Sequence, residues 1–564
     1  MTELERQESS MKLKKLLKCG AGSVLGMLAA FSLGGMISFA AYDSAALKTC
    51  TIEEKNRIEV TGTASTGVLE EGETADDGYY YLFELQPYES EIGSRTDYAA
   101  WCNKGSEIKF TVPYSGEEED TRLYSRFVTA VRVGDSYRAI SGPIYITNPE
   151  VVADYTKEYP NAMSKKGLLI ELDMIQDAMS LGVKHTTINI PYHHMIGGNL
   201  EYKYNGKTYH FNEELIASYD KMVSTFSNKS IVVTAILLNG WNDAYPELHE
   251  AGLEKTSTAN YYGFNVSTKE GYETTRALLS FMAERYSGEN SDYGRISNWI
   301  IGNEVNNNKD WNYVGPMDIQ SYTKLYEKAF RVAYTAIKSQ SKNARVFFST
   351  DYEWNKTNTN LRYAAKDFVD LFNAGICAEG NIDWGLAYHP YPHPLTEPEF
   401  WDDDQTGMVT DSADSPIINF KNLTVLTDYF QRSEMLSPTG NVRHIILSEE
   451  GFTAMSATRG PVFMEQAAAY AYAYFLVDAN PYIDAFILNR QVDAVSEYNA
   501  SCAFGLWTVD TSRTDKVVAV FSRPLHQVFK YIDTKKALKY TEFAKDIIGI
   551  NSWSEVIPGF KLEQ

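Results

Sequence analysis

At 564 residues the chain exceeds what one ordinary core holds, so two domains plus a targeting segment are expected. Its 44% hydrophobic and 22% charged residues exclude a disordered chain, and a net charge of −22 excludes nucleic acid and anionic membrane as partners, because a polyanion is repelled. Aromatic residues reach 13%, but rings that suit sugar faces serve plain packing equally well, so this alone decides little.

The first element is a leader. Lys12, Lys14, Lys15 and Lys18 precede an uncharged apolar run over 19–41, and Ser38 and Ala40 supply the small residues of a cleavage site. This predicts a signal peptide over 1–41 and a secreted or extracellular protein. The run is also long enough to span a bilayer, so an uncleaved N-terminal anchor is the alternative; no second span is expected. Cys50, Cys102, Cys377 and Cys502 remain after the leader, without a Cys-x-x-Cys or a His at metal spacing. A Cys50–Cys102 disulfide is one reading, and small buried hydrophobes the favoured one.

Residues 42–150 read as strands. Segments 79–85, 107–112, 126–133 and 143–146 alternate or run β-branched and aromatic, with Gly, Pro and acidic turns between them. The spacing predicts a small all-β sandwich-like domain. It shows no catalytic constellation and fits a binding or spacer module.

From 151 to 564 the period changes. Short apolar runs at 187–190, 231–238, 299–302, 346–349, 384–388, 444–447 and 485–488 alternate with helical stretches at 213–225, 272–285, 322–339, 368–376 and 464–476. A first strand near 166–170, before a helix over 171–181, completes eight β/α units. The predicted fold is α/β, a (β/α)8 TIM barrel preceded by the small all-β domain.

Reactive groups in such a barrel sit at the C-terminal ends of the strands. The fourth strand runs into Gly302-Asn303-Glu304-Val305-Asn306, the sixth into His389-Pro390-Tyr391, and the seventh into Ser448-Glu449-Glu450-Gly451. Two carboxylates thus reach one mouth from opposite sides. Glycosidic cleavage needs such a pair, one to protonate the leaving oxygen and one to attack the anomeric carbon or activate water. A lone Glu after an apolar run usually caps a helix or solvates a loop. A Glu at both strand ends is harder to reach by chance.

Gly302-Asn303-Glu304 resembles the Asn-Glu acid/base motif of the clan A glycoside hydrolases, and Ser448-Glu449-x-Gly451 resembles their Glu-x-Gly nucleophile motif. The resemblance covers the barrel and not the segment before it. It implies a retaining glycosidase acting through a covalent glycosyl-enzyme, with Glu304 as acid/base and Glu449 as nucleophile about 5–5.5 Å apart. It also implies that Asn303 binds the sugar 2-hydroxyl and that His389 and Tyr391 orient the nucleophile. Strand alternation puts Ile445, Leu447 and Glu449 on one side and Ile446, Ser448 and Glu450 on the other, without saying which faces the axis. The family pattern selects Glu449, since Gly451 lies two residues after it.

Two departures bear on the substrate. Many clan members carry an Arg on strand 2 where this chain has Ile188-Asn189-Ile190-Pro191, and strand 8 often ends in a Trp where this chain has Leu488-Asn489-Arg490, with Trp507 downstream. Asn189, Asn489, Trp507, Trp241 and Trp311 are therefore candidate sugar contacts, as are Asn239, Tyr313, Asp351, Trp354 and Trp401 on neighbouring loops. His193 and His194 are adjacent and on a strand would face opposite ways, so no metal is expected, nor any cofactor. The partner expected is a carbohydrate. The alternatives are a non-catalytic cell-surface carbohydrate-binding protein on the same scaffold, which the two departures favour, and a metal-dependent barrel hydrolase, which the lack of His and Asp clusters disfavours.

Overall fold

The computed structural model describes residues 44–65, 77–116, 121–513 and 515–561. The expected signal peptide lies outside the described residues. Among those described, no helix is long and apolar enough to cross a membrane.

The described residues open with two antiparallel sheets. One has the order β1 (Ser44–Glu53), β2 (Arg57–Ser65), β5 (Glu107–Pro113); the other runs β4 (Ala100–Asn103), β3 (Tyr79–Leu85), β6 (Arg126–Val133), β7 (Ser136–Ala139), with β8 (Ile144–Tyr145) paired to β6. Period-two patterning is cleanest in β5, where Ile108, Phe110 and Val112 are buried and the intervening residues exposed. These three join Cys50, Ile52, Ile58 and Val60 of the first sheet and Tyr80, Leu82, Phe127 and Val131 of the second in one apolar cluster that continues into the rest of the molecule. Cys50 and Cys102 fall on different sheets and are free thiols, so the disulfide reading is set aside. Cys50 is wholly buried, and burial pushes its thiol pKa up.

Eight parallel strands then close a barrel: β9 (Lys166–Leu168), β10 (His185–Pro191), β13 (Val232–Leu238), β14 (Asn298–Ile301), β15 (Arg345–Thr350), β16 (Trp384–Tyr388), β17 (Ile445–Glu450) and β20 (Ile483–Leu488), with β20 pairing back onto β9. Alternation sorts their side chains. Ile236, Leu238, Ile300, Phe347, Ala387, Ile446, Ala485 and Ile487 form a separate cluster along the axis, while Ile188, Leu237, Ile301, Phe348, Leu386, Leu447 and Leu488 face the helices. At Gly167 a Cβ would lie 2.7 Å from Ile487 Cγ1, so the axis layer admits no side chain there. Several helices carry side-chain caps: Asn212, Thr268 and Asp318 each accept a backbone N–H three residues on, opening Glu213–Ser227, Lys269–Arg285 and Ile319–Gln340.

Other elements decorate this frame. After β10 comes an antiparallel hairpin, β11 (Ile196–Tyr204) and β12 (Lys207–Phe211), joined by an Asn205-Gly206 turn in which both residues have positive φ, 51° and 71°. Short pairs β18 (Met455–Ser456) with β19 (Gly460–Pro461), and β21 (Trp507–Val509) with β22 (Ala519–Ser522), follow β17 and β20. The helix expected over 171–181 is a 3-10 turn, Leu172–Met174, and a short helix, Ile175–Ser180. Helix Phe463–Ala479 is buried around most of its circumference, because ring contacts such as Tyr470–Phe529 (5.4 Å) and Phe475–Trp553 (4.9 Å) close its outer side with C-terminal segments.

The N-terminal sheets dock on the barrel's helices. The backbone N–H of Tyr145 donates to Glu379 O (2.8 Å), and the Arg331 guanidinium lies 4.7 Å from the Tyr145 ring centroid. Arg331 itself is buried, with Nε donating to Glu327 Oε1 (2.9 Å) and its other nitrogens to the carbonyls of Gly380 and Ile376 (both 3.0 Å).

Candidate active site

The mouth formed by the strand C-termini is built from the backbone outward. Beyond β14 the chain turns through Gly302 (φ 81°) and Glu304 (φ 38°), a left-handed conformation that is strained for any residue but Gly. Neighbouring bonds hold it. The N–H of Glu304 donates to Ser349 Oγ (2.8 Å) and that of Val305 to Ser349 O (2.9 Å). Asn306 and Asp351 clasp reciprocally, Nδ2 to Oδ1 at 2.8 Å and backbone N–H to Asn306 Oδ1 at 3.1 Å. Burial, and then the charge of Glu304, push the Asp351 carboxyl well above the usual range.

Glu449 arrives differently from what alternation predicts. Leu447 faces the helices and Ser448 the axis, yet Glu449 also reaches the mouth. The cause is a bulge: Leu447 pairs with Phe486 and Glu450 with Leu488, so three steps on β17 match two on β20. The extra residue turns Glu449 inward with Ser448 and sends Glu450 to the helix side. There Glu450 is completely buried, both carboxyl oxygens lack a hydrogen-bond partner, and its charge acts on Tyr470 of helix Phe463–Ala479. Burial first, then the charge of Glu449, raise its pKa well above the carboxylate range.

The end of β16 ties both mouth carboxylates together. Tyr391 OH donates to Glu449 Oε1 (3.0 Å) and accepts from Asn489 Nδ2 (3.1 Å). His389 Nδ1 lies 2.9 Å from Glu304 Oε1, and its Nε2 lies 3.1 Å from Ser448 Oγ. Of the strand-6 pair expected to orient the nucleophile, Tyr391 bonds Glu449, whereas His389 bonds Glu304. Extending the Tyr388–Leu447 pairing sets His389 beside Ser448, and Tyr391 lies two residues further along the same segment. Burial lowers the His389 pKa, but the bond to Glu304 and the charges of Glu449 and Glu304 outweigh it and hold the imidazole above its usual value.

The remaining expected residues divide. Asn303 is buried, and its Oδ1 has no hydrogen-bond partner. Asn189 is exposed within an otherwise buried strand, on the side opposite Ile188 and Ile190, and so faces the open mouth. Trp241 stacks on His249 (4.3 Å, 4°), with its Nε1 donating to Asp243, and Trp311 stacks on Tyr261 (6.1 Å, 23°). Trp507 is not joined to the carboxylates: its indole donates to Asp177 Oδ2 (2.9 Å) and meets the His526 ring edge-on. Trp354 is fully buried with Nε1 on Ala413 O (3.0 Å), and the Asn239 amide serves the carbonyls of Leu248 and Gly263. Trp354 serves as a packing anchor, and the Asn239 Oδ1 has no hydrogen-bond partner. His193 and His194 lie in a 3-10 turn, not on a strand, with their rings 3.9 Å apart; His193 Nδ1 accepts the Gly240 N–H (2.8 Å). Among the described residues no group of three or more His, Cys, Asp or Glu is placed to hold a metal ion.

Tyr261 and Ser448 are the residues that sequence reasoning missed. Tyr261 packs half-buried against the axis cluster from a loop that the Tyr262 N–H ties to Asn239 O (2.7 Å). Nothing in its local pattern marks it. Ser448 was visible inside the motif, but its bond to His389 needed the register.

A family model, described as a family of unknown function (DUF5722), matches residues 158–556. The chain belongs to that family. The DUF5722 region is thus the barrel with its C-terminal helices, and the two N-terminal sheets precede it. No curated protein matches the chain. Among solved structures it is similar to a family 1 β-glucosidase from Thermotoga maritima, seen with isofagomine lactam (12% identity, TM-score 0.40, 65% of this chain and 86% of that one). The same holds for a β-glucosidase from Thermotoga maritima with glucoimidazole (11%, TM-score 0.40, 65% and 86%) and for a family 1 glycoside hydrolase of that organism with a cyclophellitol analogue (12%, TM-score 0.38, 66% and 85%).

Proposed function

We propose that this DUF5722 chain is an exported retaining glycoside hydrolase, with Glu449 as nucleophile, Glu304 as acid/base, and an accessory β-sandwich-like domain over 42–150. One observation carries the reading. Carboxylates from two strand ends hang from a single segment, Glu304 on His389 and Glu449 on Tyr391, which brings both to one place in the mouth.

The chemistry follows from their partners. Glu449 attacks the anomeric carbon as the bond to the leaving oxygen breaks, and that oxygen takes the proton shared between Glu304 and His389. A glycosyl ester of Glu449 results. Glu304 then takes a proton from water as the water attacks the same carbon and frees Glu449, so two inversions give net retention. Tyr391 donates to the attacking carboxylate, and Asn489 holds the hydroxyl in that orientation. The unpaired Oδ1 of Asn303 is a buried acceptor that a sugar hydroxyl would satisfy, removing the cost of leaving it bare. Asn189 and Asn489 replace a cation and a ring with neutral amides, which suits a neutral, hydroxyl-rich sugar.

Proton NMR of the first product from a panel of β-linked polysaccharides tests this. The anomer formed initially should match that of the bond cut. Initial inversion, or turnover that Glu449→Gly leaves unchanged, would sink the proposal.

A further inference from the structure

The second N-terminal sheet has an outer face with no part in the barrel's chemistry. Tyr79, Tyr81 and Phe83 alternate along β3 and share one side. Trp101 lies opposite Tyr81 on β4, Tyr137 comes from β7, and Tyr98 reaches in from the β3–β4 connection. Their rings form one array: Tyr79–Trp101 at 4.8 Å, Tyr81–Tyr98 at 4.8 Å, Tyr81–Tyr137 at 4.9 Å and Phe83–Tyr137 at 5.0 Å, mostly edge-on or tilted. Tyr81 and Phe83 are buried under it with Ile92, Val128 and Ala130, but Trp101 is 55% and Tyr98 41% exposed. A large ring left in water forgoes its burial, so folding alone gives no reason to place an indole there.

We infer that this face is a binding platform for a neutral polysaccharide chain, separate from the barrel mouth. Edge-on packing fixes the rings, so the exposed indole and phenol present rigid flat surfaces to the C–H side of a sugar at little entropic cost. Charge narrows the ligand. Asp77, a carboxylate built into the face, is engaged by Tyr81 OH (2.6 Å) and the Tyr79 N–H (3.2 Å), and the net charge of −22 repels polyanions. Phenolic hydroxyls beside that carboxylate instead match an uncharged, polyhydroxylated partner. The choice of a polysaccharide rests on the glycosidase reading of the barrel, because a platform on the same chain raises the polymer's local concentration at the mouth.

The test is affinity electrophoresis of the Glu449→Gln protein in native gels containing mixed-linkage β-glucan, xyloglucan or galactomannan, with carboxymethylcellulose as the anionic control. At least one neutral gel should retard it. Trp101→Ala with Tyr98→Ala should weaken that retardation by about tenfold or more, as loss of a central aromatic anchor does. Both side chains are exposed, so the thermal melt should be unchanged, as should turnover of a small aryl glycoside by the corresponding Glu449-containing protein. Retardation by no neutral gel, retardation that survives the double substitution, or a dimer in sedimentation that Trp101→Ala abolishes would each overturn the inference. Ring-dependent retardation in a protein with no hydrolytic activity would leave the platform standing and remove the glycosidase reading.

Discussion

Glu449 and Glu450 are neighbours in sequence and opposites in environment. One is bonded at an open mouth; the other is sealed beneath a helix with no partner. Glycine at each position with added azide separates them: azide should restore turnover, giving a glycosyl azide, only for Glu449→Gly. Rescue at 450 instead would exchange the assignments. Glu450 also carries a stability signature. Its native pKa is raised above the ordinary 4.5, so the native state keeps the proton that the unfolded chain gives up. Its contribution is therefore intact below that pH and is lost as pH rises, by up to about 1.4 kcal/mol per pH unit. Glu450→Gln removes the titration, so its stability relative to the parent should increase from pH 5 to pH 8 in denaturant unfolding; a constant difference would mean the carboxyl is not held neutral. Both candidate carboxylates were legible as motif residues. The bulge that sorts 449 from 450 was not, because an extra residue in one strand is invisible to a period-two pattern.

At the level of elements, the barrel strands were legible because strands covered on both faces are written as short apolar runs. Segment 384–388 coincides with β16, and 187–190 falls inside β10. The hairpin β11–β12 was passed over although Leu200 and Tyr202, which pack on the core, and buried Tyr204 alternate with exposed Glu201 and Lys203, and Asn205-Gly206 is the turn signal for it. The first strand is the shortest of the barrel and begins beside Gly167, whose missing side chain weakens any apolar pattern. That glycine is demanded by packing: a Cβ would also lie 3.0 Å from His185 Cβ. Gly167→Ala should cost about 1–3 kcal/mol, and a double-mutant cycle with Ile487→Ala, which removes the Cγ1 it meets, should show that the two losses are not additive. Full additivity would show that the two do not meet. Asp318 tests a helix end. Its side chain accepts the Ser321 N–H (2.9 Å), so Asp318→Ala should lose about 1 kcal/mol while Asp318→Asn keeps most of it.

Across the whole molecule, the sheets and the barrel meet at a buried cation. Arg331 bonds Glu327 and two helix-terminal carbonyls while its guanidinium faces Tyr145 of β8. Arg331→Ala would strand the Glu327 carboxylate in the interior, which costs about 3–5 kcal/mol. Calorimetry of this variant should show a lowered melting temperature and, if Tyr145 transmits the contact, a sheet transition that separates from that of the barrel. A single undivided transition at the parent temperature would remove Arg331 from that role. Composition gave no hint of this contact, since it joins residues far apart in the chain.

The segment after β16 has a mechanical consequence. It continues from His389 and Tyr391 to His393, whose N–H is anchored on Asp403 (2.8 Å), itself bonded by the Asn419 amide (2.6 Å). Glu304 and Glu449 therefore share one mount. Any strain that shifts the mount moves both groups in step, so their spacing survives small displacements while their aim at a bound ring does not. The site is built to fail by misaiming rather than by coming apart.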